Sequence, residues 1–174
     1  MNAADVELAL TLPSTLALAP ARRASRAATM RCMVVTQEER RGTSLQLAGS
    51  GEGWSVDIFS TVDEAIRAAF RRVFHLAVVD LESVAGSPWQ TDFQELASDL
   101  AQNHVSLLVV AGDPRDPLAE FAARQLGVWI YLPGMNGSAR LDDIFREARV
   151  AVARMASSRE PMYSHSDLGK PPDP

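Results

Sequence analysis

Short runs of uninterrupted apolar side chains, separated by longer segments with helical spacing, limit most severely how this chain can fold. Residues 31–35 carry Cys-Met-Val-Val, and 75–80 carry Leu-Ala-Val-Val and close on Asp80; 106–111 and 128–132 are apolar over nearly their whole length. A strand that is apolar on both sides of its pleat must be covered on both faces, the condition of a parallel sheet held between helical layers. Residues 54–59 read as one more strand, alternating Trp54, Val56 and Ile58 with Ser55 and Asp57.

Helical spacing fills the gaps. Leu45, Leu47 and Ala48 mark one side of a modest helix that Gly49, Gly51 and Gly53 are expected to end. Ser60 or Thr61 caps a second helix with Asp63 and Glu64 in its first turn. Its apolar side is Val62, Ala65, Ile66, Ala69, Phe70 and Val73. Further helices are expected over 92–103, over 117–126 with Gly127 as the stop, and over 141–155. Five strand–helix units joined by right-handed crossovers predict an α/β fold. It is a flavodoxin-like three-layer sandwich: a five-stranded parallel sheet of order 2-1-3-4-5 with helices on both faces.

A length of 174 residues suits one domain with tails. The domain is expected over 30–156. Residues 1–29, rich in Ala, Leu, Ser, Thr and Pro, read as a flexible arm, or as a stretch upstream of a true start at Met30. Residues 157–174 are polar and proline-rich and are expected to be disordered.

Composition excludes several classes. A formal charge of −5 disfavours nucleic acid, and the one basic stretch, Arg22, Arg23, Arg26 and Arg31, lies mostly in the arm. No apolar run approaches the ~20 residues of a membrane span, and Asp5, Glu7, Pro13 and Pro20 make a poor secretion signal. A cytoplasmic protein is expected. Cys32 is the only cysteine, which rules out an internal disulfide, and it reads as a buried hydrophobe. His75, His104 and His165 have no metal-ligand spacing. There is neither a G-x-G-x-x-G nor a P-loop, and the glycine-rich 49–53 stretch precedes a strand where a phosphate cradle precedes a helix. No metal, cofactor or catalytic residue is expected.

Several motifs stand in one order at familiar separations. Asp63-Glu64-Ala65-Ile66 follows the second strand, Phe74 to Leu81 places an acid at the end of an apolar strand, and Gly127-Val128-Trp129-Ile130-Tyr131-Leu132 leads the fifth. Over 31–155 the chain resembles the receiver domains of bacterial response regulators. The resemblance implies that Asp80 stands at the phosphoacceptor position and Tyr131 at that of the switching aromatic. Receivers hold Mg²⁺ with two acids after the first strand; here those places are Thr36 and Gln37. A hydroxyl residue ends their fourth strand, where this chain has Ala111. A lysine follows their fifth, where Pro133-Gly134-Met135 stands here. Thr36, Gln37, Ala111 and Gly134 thus describe a degenerate pocket, and phosphoryl transfer depends on such positioning and charge groups.

The resemblance therefore implies a stand-alone pseudo-receiver, a signalling module that binds a protein partner without a phosphoryl cycle. Homodimerisation would use the last two helices and the fifth strand, where Arg140, Asp142, Asp143, Arg146, Glu147 and Arg149 mix both signs. Asp80 would then cap its loop or accept from backbone N–H groups, and the Tyr131 hydroxyl would reach water. A second reading keeps Asp80 as a working phosphoacceptor, with Glu38 or Glu39 recruited for Mg²⁺ where otherwise both are solvated acids starting a helix. A third is a small flavodoxin-like enzyme or ligand-binding protein with a cleft at Thr36, Asp80, Ala111 and Gly134.

Overall fold

The computed structural model describes residues 30–103, 106–135 and 138–158. The expected arm over 1–29, most of the expected tail, His104 and His165 lie outside the described residues. Five strands, β1 (Met30–Val35), β2 (Trp54–Phe59), β3 (Leu76–Asp80), β4 (Leu107–Gly112) and β5 (Ile130–Pro133), pair in parallel in the order β2-β1-β3-β4-β5. The helices are α1 (Glu39–Gly51), α2 (Val62–Ala69), α3 (Gln90–Asn103), α4 (Pro117–Gln125) and α5 (Ser138–Ser158). This is the expected class and the expected strand order.

Strand alternation sorts the apolar runs into two cores. Cys32, Val34, Leu76, Val78 and Val109 face α1 and α5, where Leu45, Phe145 and Ala148 close the layer. Met33, Val35, Ala77, Val79 and Val110 face the other side, against Ala65, Phe93 and Leu96 of α2 and α3. Each fully buried Val or Leu contributes about 1.5–3 kcal/mol, so both faces of the sheet drive folding. On the α1–α5 side the indole N–H of Trp54 donates to the Phe145 carbonyl at 3.0 Å, which ties β2 to α5.

Local chemistry sets most boundaries. Asp116 Oδ1 accepts from the N–H groups of Leu118 and Ala119, and Pro117 opens α4 at its first turn, where no amide is needed. Thr61 Oγ1 accepts from the N–H of Glu64 and starts α2.

Two helices differ from expectation. In α1 the helix ends within the glycine stretch as expected, at Gly51, but Leu47 is exposed and does not share a buried side with Leu45 and Ala48. Gly49 is also a packing residue, since a Cβ there would stand 2.5 Å from Val56 Cγ2 and 3.0 Å from Phe145. In turn α2 stops at Ala69, so Phe70 and Val73 lie beyond it and are 88% and 64% exposed. Among the described residues no helix is long and apolar enough to cross a membrane.

Cys32 lies between β2 and β3, in register with Val56 and Leu76, and is fully buried. Burial, reinforced by the charge of Asp57, pushes its thiol far above the ordinary range. The native protein is expected to leave Cys32 unmodified by a thiol-alkylating reagent, and to take up one adduct by intact mass only after unfolding. Rapid labelling of the folded protein would contradict the burial.

Candidate functional site at the carboxyl ends of the strands

A parallel sheet delivers the carboxyl end of every strand to one edge. Here the chain continues the ladder into the loops. Thr36 N–H donates to Phe59 O at 3.1 Å, Leu81 N–H to Ala111 O at 2.8 Å, and Gly134 N–H to Gly112 O at 2.9 Å. Gly134 manages this with φ +73°, a conformation that strains other residues.

Asp80 ends β3 and has no exposed surface. Thr36 Oγ1 donates to its Oδ2 at 2.7 Å, and the N–H of Ser83 donates to its Oδ1 at 3.1 Å. The Ser83 hydroxyl donates to the Asp80 carbonyl at 2.8 Å. Above the carboxylate lies the Arg41 guanidinium, whose Nη1 stands 3.1 Å from Oδ1 and 3.4 Å from Oδ2. Arg41 also reaches two more acids: Nε to Glu38 at 2.8 Å and Nη2 to Glu82 at 3.0 Å. One tethered cation thus serves three carboxylates, from the residue that precedes α1, from β3, and from the 3-10 turn Glu82–Val84 that follows β3.

The protonation states follow from burial and charge. Burial raises the Asp80 carboxyl above its ordinary range, although Thr36, Arg41 and Ser83 all favour the anion. For Arg41, burial opposes the charge, but Asp80, Glu82 and Glu38 outweigh it and hold the group above its usual value. Among the described residues no three acid, His or Cys side chains are disposed to hold a metal ion.

The structure brings together only some of the residues singled out from sequence. Thr36 reaches Asp80, and Ala111 stands beside it in β4 register, fully buried. Gln37 turns to the loops: its backbone N–H donates to Ser83 Oγ and its side chain to the Ser60 carbonyl. Glu39 is exposed, but Glu38 is no free solvated acid, since it grips Arg41. Asp80 does accept from a backbone N–H as expected. Sequence reasoning missed Arg41, Glu82 and Ser83. The i,i+3 spacing of Glu38 and Arg41 signals a helix pair; it carries no sign that the guanidinium also turns inward over Asp80.

Tyr131 also differs. Its hydroxyl does not reach water: it is buried against Gly112 with no hydrogen-bond partner among the described residues, at a place where a Cβ on residue 112 would collide with it. Burial raises the phenol above its ordinary range, and the charges of Asp116, Glu120, Asp113 and Glu82 add to this. Glycine at 112 is what lets the ring lie so far in.

Two substitutions test this geometry. Arg41→Ala leaves a buried anion without its cation and is expected to destabilise the fold by about 2–4 kcal/mol in denaturant unfolding, since Arg41 is itself partly solvated. Asp80→Asn added to it should recover part of the loss; strict additivity would deny the pairing. Tyr131→Phe removes an unpaired buried hydroxyl and is expected to leave stability unchanged or raised by up to about 1 kcal/mol. A clear loss would mean that the hydroxyl has a partner.

No protein-family model matches the chain, and no curated protein is found to be similar in sequence. Solved structures do match in fold. A signal receiver domain from Vibrio parahaemolyticus superposes with a TM-score of 0.63 at 14% identity, covering 75% of this chain and 98% of that one. A CheY-like response regulator receiver domain protein from Methanospirillum hungatei gives 0.60 at 14% identity, covering 75% and 99%. A response regulator from Thermotoga maritima gives 0.58 at 17% identity, covering 72% and 98%. At these identities the likeness establishes the fold: the chain has the architecture of a response-regulator receiver domain.

Proposed function

We propose that this receiver-fold chain is a pseudo-receiver, a cytoplasmic signalling module that binds a protein partner and runs no phosphoryl cycle. The observation that carries the reading is Arg41. An aspartate that attacks a phosphoryl donor needs an accessible oxygen, and a cation free to bridge it to the incoming group. The Asp80 oxygens are buried under donors from Thr36, Ser83 and Arg41, and the cation is fixed to Glu38 and Glu82 as well. Ala111 offers no hydroxyl, and Pro133-Gly134-Met135 offers no lysine. Burial of Thr36, Asp80 and Ala111 also favours this reading over an enzyme with an open cleft at those positions.

The surface offered to a partner, or to a second copy, is the one formed by α4, β5 and α5. On α4, Leu118 and Phe121 are 75% and 61% exposed and stand one helical turn apart on one face. The charges of α5 contribute less than their number suggests. Arg146 pairs with Asp143 and Glu52, and Arg149 donates to the Glu52 carbonyl, so both are directed to the α1–β2 turn.

The test is incubation of the purified chain with a small phosphodonor and Mg²⁺, read by intact mass, with Asp80→Asn as control. No mass gain is expected, nor any Mg²⁺-dependent change in the fluorescence of Trp54, Trp89 and Trp129. A phosphoryl adduct that disappears in Asp80→Asn would overturn the reading in favour of a phosphorylatable receiver with Glu38 as a metal ligand.

A further inference from the structure

On the face of the sheet away from α1 and α5, an apolar groove of about 500 Å³ runs between α2 and α3. Met33, Ala65, Ile66, Phe70, Phe74 and Leu96 are among the residues lining it. It exists because α2 ends early: the chain unwinds at Phe70, and Ile66, Phe70 and Val73 are left 36%, 88% and 64% exposed around it. Apolar surface gathered in a groove, here lined also by Arg72 and Asp99, is a candidate binding surface.

The start of β1 lies beside this groove. The N–H of Arg31 donates to His75 Nδ1 at 3.2 Å, and the N–H of His75 donates to the Arg31 carbonyl at 2.9 Å. His75 directly follows Phe74, a lining residue. The described chain thus begins at the sheet edge where Phe74 and His75 lead into β3, with the Met30 side chain itself packed toward α1 and α5. The chain preceding Met30 carries a matching chemistry: residues 8–21 contain five leucines and no charged residue, in a protein 22% charged. Such a stretch has little to gain from water. From Leu18 to Met30 the chain spans up to about 40 Å, ample to reach any point of the groove. Tethering also gives the segment a high effective concentration over its own groove, which favours it over a second copy.

We propose that residues 8–21 dock into the α2–α3 groove of their own molecule and cover Ile66, Phe70 and Val73. The inference does not depend on the absence of phosphorylation. It assigns the groove to an internal ligand and leaves the α4 surface for partners.

The test uses the full ¹⁵N-labelled chain with Thr15→Cys carrying a nitroxide, which the sealed Cys32 cannot accept. A severalfold loss of amide signal confined to Ile66, Phe70, Val73 and Leu96 is expected. Phe70→Glu with Val73→Glu should abolish it while leaving the other amide positions unchanged. Signal loss centred on Leu118 and Phe121, or none confined to one place, would overturn the proposal. So would an equal loss when spin-labelled, unlabelled-nitrogen protein is mixed with ¹⁵N protein lacking the nitroxide, since the docking would then be between molecules.

Discussion

A carboxylate with no exposed surface cannot remain charged without a partner close by, and the arrangement of this molecule's upper edge follows from how Asp80 meets that requirement. Asp80 is held at the end of β3 by the sheet, so its partners must come to it. Thr36 comes from the end of β1, Ser83 from the turn after β3, and Arg41 from the first turns of α1. Glu38 and Glu82 then hold the guanidinium from either side. Each contact links two elements, so the loop after β1, the turn after β3 and the start of α1 are set relative to one another through a single side-chain cluster.

The same cluster gives the site its chemical character. A divalent ion held by oxygen ligands exchanges, brings its own coordination positions and can bridge to a ligand. A guanidinium on a helix does none of these; it supplies fixed charge and directed donors. Here the charge beside Asp80 is tethered to a helix and fixed by two further acids. The Tyr131 ring is likewise held in place, seated over Gly112 with its hydroxyl unpaired among the described residues. Exposed apolar area lies elsewhere, on α4 at Leu118 and Phe121 and around the α2–α3 groove at Phe70 and Val73.

Much of this was legible in the chain. The apolar runs located every strand to within a residue or two, and the unbroken apolar character of 75–80 and 106–111 required a sheet covered on both faces. Thr36 and Asp80 were singled out and do meet. The failures have physical causes. The glycines from 49 to 53 do end α1, but Gly49 has a second role that propensity does not show, since its lack of a Cβ is what admits Val56 and Phe145. Val73 keeps helical spacing with Phe70, but the chain must turn there to enter β3, and connection geometry overrides periodicity. Tyr131 was expected to reach water because a phenol normally does; the space over Gly112 is a property of two neighbouring strands.

By itself, then, the sequence determined the class of fold, the strand order, the two-sided core and the absence of a hydroxyl and a lysine at the ends of β4 and β5. These depend on period, on local residue identity and on chain connectivity, all of which are written along one dimension. Only the tertiary structure decided that Arg41 covers Asp80, that Glu38 and Glu82 share its charge, and that α2 ends soon enough to open a groove beside the entry of β1. Those outcomes depend on where side chains from separate elements meet in space, and long flexible side chains such as arginine have too many directions open to them for spacing alone to choose one.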